Sequence, residues 1–153
     1  MPQTNNAGDA VQTLRVEKDV FIAATPDIVW DSILDEVGGQ MGPEGGPEMA
    51  MKIEPRPGGR WYRDLGNDAG HLWGHVQVIK PPKLLELCGP LFMSYPAMNH
   101  LQYRLTEERD GTRMKFTHRG VGIFDPEQIK GVDMGWGGIV ERIRKAAEQR
   151  ARR

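Results

Sequence analysis

FDPEQIKGVDMGWGGIVERIRKAAEQRARR, from Phe124 to Arg153, closes the chain and decides how the rest is read. Ile129, Val132, Trp136, Ile139, Ile143 and Ala146 recur at spacings of three and four, with Val140 and Ala147 widening the face. This is the period of an amphipathic helix whose stripe is too broad to be left in water. Asp125 is placed to cap its start, Pro126 suits the first helical position, and Gln128 stands where a capping box takes an amide. Gly131, Gly135, Gly137 and Gly138 each cost roughly 1 kcal/mol relative to alanine in a helix interior. The expectation is a loose or broken first part and firm helix from about Gly135 onward.

Such a stripe needs a cover, and the preceding chain supplies strands. Thr112 to Gly120 and His100 to Glu107 pair through an Asp110-Gly111 turn, so that Leu101, Tyr103 and Leu105 face Met114 and Phe116 by phase. His71 to Lys80 and Lys83 to Gly89 form a hairpin around Pro81-Pro82, which lie outside the ladder because proline has no N–H to donate. Arg60 to Leu65 puts Trp61, Arg63 and Leu65 on one side, and a turn over Gly66 to Gly70 follows. Met49 to Ile53 and Val16 to Ala23 complete the strands. Thr25-Pro26-Asp27 starts a first helix with Val29, Trp30, Ile33, Leu34 and Val37 on its apolar face, ended by Gly38 and Gly39.

Two segments resist regular structure. Gln40 to Glu48 holds three glycines and two prolines, which predicts a flexible loop of the kind that serves as a lid. Pro90 to Met98 reads as a second irregular piece with Leu91, Phe92, Met93 and Tyr95 exposed. Residues 1–13 are polar and small and read as a disordered arm, leaving 14–150 as one domain. The expected fold is α+β: a curved antiparallel sheet of about seven strands wrapped around the long C-terminal helix.

Bulk properties narrow the function. The chain has 153 residues and suits one core; its formal net charge of −1, evenly mixed, gives no field to recruit nucleic acid or an anionic membrane. The basic excess from Arg142 to Arg153 complements the negative end of a helix dipole and reads as a solvated tail. Cys88 is the sole cysteine, which excludes an internal disulfide and a multi-cysteine zinc site and fits a reducing compartment, with Cys88 as a small buried hydrophobe. With no signal-peptide pattern and no run of about 18 apolar residues, a cytoplasmic protein without membrane insertion is the expectation.

Candidate chemistry is sparse. His71 and His75 have helical metal spacing but lie in a strand, where four residues span roughly 13 Å, too far for two ligands of one ion. His118 shares the inward phase of Met114 and Phe116; it reads as a satisfied core histidine, as a polar contact to a ligand, or as a general base. Ser32, Ser94 and Cys88 assemble no triad, Asp64, Glu86 and Glu107 alternate outward, and the glycines match no dinucleotide or phosphate fingerprint, so neither a metal nor a cofactor is expected. Eight methionines and Trp61, Trp73 and Trp136 fit an adaptable apolar pocket and plain core packing alike.

The order and spacing of Ala24-Thr25-Pro26-Asp27-Ile28-Val29-Trp30, Glu54-Pro55-Arg56-Pro57-Gly58-Gly59-Arg60-Trp61, Gly74-His75-Val76 before Pro81-Pro82-Lys83-Leu84, Gly111-Thr112-Arg113-Met114 leading to His118, and Gly135-Trp136 resemble the START-like or SRPBCC superfamily. Within it, the chain is similar to homologues of the activator of the 90-kDa heat-shock-protein ATPase, over about Val16 to Glu148. The resemblance implies the helix-grip fold, with seven antiparallel strands, two helices in the first connection and a C-terminal helix over a hydrophobic cavity. The second of those helices would fall on the Gln40 to Glu48 loop.

Three functions follow as expectations. The first is binding of a small hydrophobic or aromatic ligand between sheet and helix, with Trp61, Tyr103, Met114, Phe116 and Trp136 as walls, Arg63 inward, and His118 orienting the ligand. The second is a small-molecule enzyme using the same cavity, resembling the polyketide cyclases or acting as a hydratase or hydrolase, with His118 or Tyr103 as acid or base. The third is an interaction module resembling the co-chaperones. A homodimer is open in all three.

Overall fold

The computed structural model describes residues 10–39 and 51–153. The loop expected over Gln40 to Glu48 and the first nine residues of the expected arm lie outside them. Seven strands form one antiparallel sheet: β1 (Val11–Ile22), β2 (Met51–Ile53), β3 (Arg60–Gly66), β4 (Ala69–Lys80), β5 (Leu84–Gly89), β6 (Ala97–Glu108) and β7 (Gly111–Ile123). Their order is β1-β7-β6-β5-β4-β3-β2, so the first strand pairs with the last along its whole length. Helix α1 (Pro26–Gly39) carries the chain from one edge to the other, and α2 (Val132–Ala151) packs along α1 and against β1.

Alternation makes the sheet one-sided. Leu101, Tyr103 and Leu105 on β6 and Met114, Phe116 and His118 on β7 are buried, and the residues between them face outward. From α1, Val29, Trp30, Ile33 and Val37 meet the same core. The two hairpin turns that join long strands are tight. Asn67 and Asp68 both take positive φ between paired Gly66 and Ala69, which matches the right-handed twist of the flanking strands.

Several expectations shift. β1 begins at Val11, not Val16, because its partner β7 runs on to Ile123 and gives the extra residues a ladder to join. The turn between β6 and β7 is centred on Arg109 and Asp110, since Glu108 already pairs with Gly111. Leu65 is exposed rather than inward, because a register irregularity between Asp64 and Gly66 turns it out of phase. Leu91 and Met93, expected outside, are buried; the Leu91 N–H donates to the Trp73 carbonyl and seats that segment on β4. Cys88 is half-buried on the outer face, across from His75 on β4 and His100 on β6, instead of in the core.

The C-terminal segment breaks where its glycines begin. Asp125 and Gln128 form the expected capping box, but on a single 3-10 turn, Pro126–Ile129. Gly131 then takes φ 85, and α2 runs unbroken from Val132 through Gly135, Gly137 and Gly138. The helix therefore starts three residues earlier than expected. Its glycines face away from the core, while Trp136, Val140, Ile143 and Ala147 form the buried line, with Ile139 and Ala146 half-buried at its sides. Burial of that line outweighs the glycine propensity cost of roughly 1 kcal/mol each.

Candidate functional site

Beneath α2, the inner rows of β6 and β7 bring an aromatic stack together. Tyr103 and Phe116 are direct cross-strand partners with ring centroids 4.9 Å apart, and Phe116 meets Trp136 of α2 at 4.5 Å. His118, one inward position further along β7, packs edge-on to the same indole at 5.7 Å. Thus Tyr103, Met114, Phe116, His118 and Trp136 form one cluster. Trp61 and Arg63 do not join it, because β3 is separated from β6 by two strands.

Both ring nitrogens of His118 are engaged. The indole N–H of Trp136 donates to Nδ1 at 2.9 Å, so the neutral ring carries its hydrogen on Nε2 and donates to Asn99 Oδ1 at 2.7 Å. The Asn99 amide in turn donates to the carbonyls of Gly89 and Pro90, each at 3.3 Å. This buried relay ties α2 to the segment after β5. Burial pushes the His118 pKa down to about 4, so the ring is neutral at neutral pH. Asn99 was not singled out from sequence. The signal was its phase: Asn99, Leu101 and Tyr103 alternate inward, and a polar residue in that phase needs partners.

The stack is closed on itself. Trp61, Tyr103, Met114 and His118 are 0 % exposed, Phe116 is 1 % and Trp136 is 2 %, so no water-sized space touches four of them and almost none touches the others. The expected walls therefore meet one another instead of enclosing an open cavity. Concavities outlined by the described residues lie elsewhere, among them an open one of about 600 Å³ along the β3–β4 hairpin that reaches Arg63 and His71.

Among the described residues, three buried polar atoms have no hydrogen-bond partner: Tyr103 Oη, Arg63 Nε and Trp73 Nε1. The phenol lies close enough to Glu36 of α1 for that charge to act on it, and burial first, then Glu36, raises its pKa above the ordinary range. Glu36 is itself buried and accepts two bonds on Oε1 from Arg142 of α2, at 2.8 Å from Nε and 2.5 Å from Nη2. Burial raises the Glu36 pKa against the opposing pull of Arg142. Among the described residues, no three His, Cys, Asp or Glu side chains are placed to hold a metal ion.

Comparison with known proteins agrees with this architecture. The family model described as "Activator of Hsp90 ATPase homolog 1-like protein" matches residues 23–148. An uncharacterized protein of Rhizobium leguminosarum superposes with a TM-score of 0.68 at 17 % identity, covering 92 % of this chain and 97 % of its own. Mll3558 of Rhizobium loti gives a TM-score of 0.67 at 20 % identity, with 90 % and 99 % covered. The di-domain ARO/CYC protein StfQ of the steffimycin biosynthetic pathway gives 0.62 at 14 % identity, with 91 % of this chain and 52 % of StfQ covered. No curated protein matches by sequence. These identities show a shared fold, and no helix among the described residues is long and apolar enough to cross a membrane. With more than two thirds of its length matched by the family model and the helix-grip sheet in place, the chain belongs to the Activator of Hsp90 ATPase homolog 1-like family of START-like proteins.

Proposed function

We propose that the protein binds a small apolar or aromatic molecule between its sheet and α2, with Tyr103, Met114, Phe116 and Trp136 parting to become the walls and Trp61 bounding the far side. The Tyr103 hydroxyl carries this reading. It is fully buried among rings and has no partner among the described residues, although buried polar groups in native proteins are almost always paired. A ligand carbonyl, ether or hydroxyl would supply the acceptor. Base catalysis is disfavoured: His118 has both nitrogens engaged and a pKa held at about 4, and the Tyr103 phenol stays protonated. The phenol is suited to donate, and His118 serves the ligand indirectly, by fixing Trp136.

The test is titration with the neutral fluorophore N-phenyl-1-naphthylamine on protein first inspected by native mass spectrometry for a co-purified molecule. The same spectra decide between monomer and homodimer. The Tyr103→Phe variant separates a ligand anchor from a packing defect. Removing an unpaired buried hydroxyl stabilises the free protein by about 1 kcal/mol. An anchor also gives up affinity, by about fivefold or more for a co-purified ligand bearing an acceptor. Absence of both a co-purified molecule and fluorophore binding would sink the proposal.

A further inference from the structure

At the β3 and β4 end of the sheet the rings gather a second time. The Trp73 ring stands between Trp61 at 5.2 Å and Phe92 at 5.9 Å, edge-on to both, with the His71 ring 6.4 Å away. Arg63 is the direct cross-strand partner of His71, and on its other side it faces the buried Met51. This is the end of the sheet beside the segment after β5, whose Leu91 is held by the Trp73 carbonyl.

Two of the N–H donors here lack acceptors among the described residues. Trp61 Nε1 donates to the Val37 carbonyl at 2.7 Å and Trp136 Nε1 to His118, but Trp73 Nε1, on a residue only 3 % exposed, donates to nothing among the described residues. Arg63 Nε, on the residue that the register pairs with His71, is buried and equally without a partner among the described residues. No carboxylate among the described residues pairs with the Arg63 guanidinium. Neighbouring Asp64 is committed to Lys52 at 3.2 Å and to the Gly66 N–H. This end of the sheet thus brings a fixed positive charge and two unpartnered N–H groups to neighbouring positions on β3 and β4.

From this geometry we infer that the β3–β4 end of the grip recognises the anionic end of an aromatic ligand, a carboxylate or comparable planar oxyanion, through Arg63 and the Trp73 indole N–H. Only a group rich in lone pairs satisfies both donors, and a charged acceptor binds a guanidinium about twice as strongly as a neutral one. Trp61, Trp73 and Phe92 provide faces and edges for the rings that follow. The inference rests on the binding function proposed above and names the chemistry of its ligand.

Calorimetric titration at pH 7 with paired probes tests it: 2-naphthoic acid against 2-naphthamide, and benzoic acid against benzamide. The same ring is offered with a charged or a neutral end. The expected result is an acid bound about tenfold more tightly than its amide. Arg63→Met should remove that preference while leaving amide affinity in place, and Trp73→Phe, which keeps a ring, should reduce it. Arg63→Lys, which keeps the charge but loses the planar fork, should retain part of it and guards against a folding effect. Equal affinity of acid and amide in the native protein overturns this inference and leaves the binding function standing. Failure of both acids and both amides, alongside binding of N-phenyl-1-naphthylamine, overturns it in the same way. Failure of every probe overturns both.

Discussion

His118 shows how a residue that looks reactive in sequence becomes structural in space. Its inward phase was legible, but its partners come from β6 and α2, and no spacing along the chain brings Asn99 and Trp136 to it. The consequence is a pH dependence with a definite sign. Folding holds the ring below its ordinary value of 6.5, at about 4, so the unfolded chain binds the proton more readily. The stabilisation is fully present above about pH 6.5 and is lost as pH falls toward 4, a loss on the order of 3 kcal/mol across the window. Glu36, whose pKa is raised, acts oppositely, favouring the fold at low pH and less so as pH rises through the carboxylate range. His118→Gln isolates the first effect, because an amide can still accept from the indole and donate to Asn99. Urea unfolding at pH 4.5, 5.5, 6.5 and 7.5 should show a flatter acid limb in the variant. Parallel curves for the two proteins would mean that another group sets the acid limb.

At the scale of elements, the contact between α1 and α2 rests on more than apolar stripes. Glu36 and Arg142 are 5 % and 19 % exposed and join the two helices, and near the end of α2 Arg150 reaches Asp35 and, at 3.2 Å, Ser32. Removing one member leaves a buried charge uncompensated, whereas removing both does not. Arg142→Met is therefore expected to cost about 3 kcal/mol in urea unfolding, and Glu36→Gln added to Arg142→Met to recover about half of it or more. Additive losses would show that the pair does not act as one unit. By sequence the basic run at the C-terminus reads as a solvated tail. In the structure Arg142 and Arg144 each find carboxylates, one across helices and one along its own. Helix positions three and four apart are visible in sequence, while a partner on another helix is not. The glycines misled for a related reason: local propensity argued against a helix at Val132, and burial of Trp136 in the tertiary structure overrode it.

For the whole molecule, the closed interior has a kinetic consequence. With Tyr103, Met114, Phe116, His118 and Trp136 packed against one another and Trp61 buried in the same core, a ligand reaches the space under α2 only after side chains or α2 itself give way. Binding that waits on such an opening is slower than diffusion-limited encounter, with rate constants below about 10⁵ M⁻¹s⁻¹. Stopped-flow mixing with N-phenyl-1-naphthylamine should show an observed rate that levels off as probe concentration rises. A rate that stays linear and fast would mean that the cavity is already open in solution. The sequence by itself determined the α+β architecture, the capped C-terminal segment and the inward set from Tyr103 to His118, because periodicity and turn chemistry are local and written residue by residue. Only the tertiary structure decided that the walls touch, that Asn99 and Trp136 occupy both nitrogens of His118, and that Tyr103, Arg63 and Trp73 are left with polar atoms unpaired. Those outcomes depend on which strands lie side by side and how closely α2 settles on them, distances between residues far apart in the chain that no local pattern encodes.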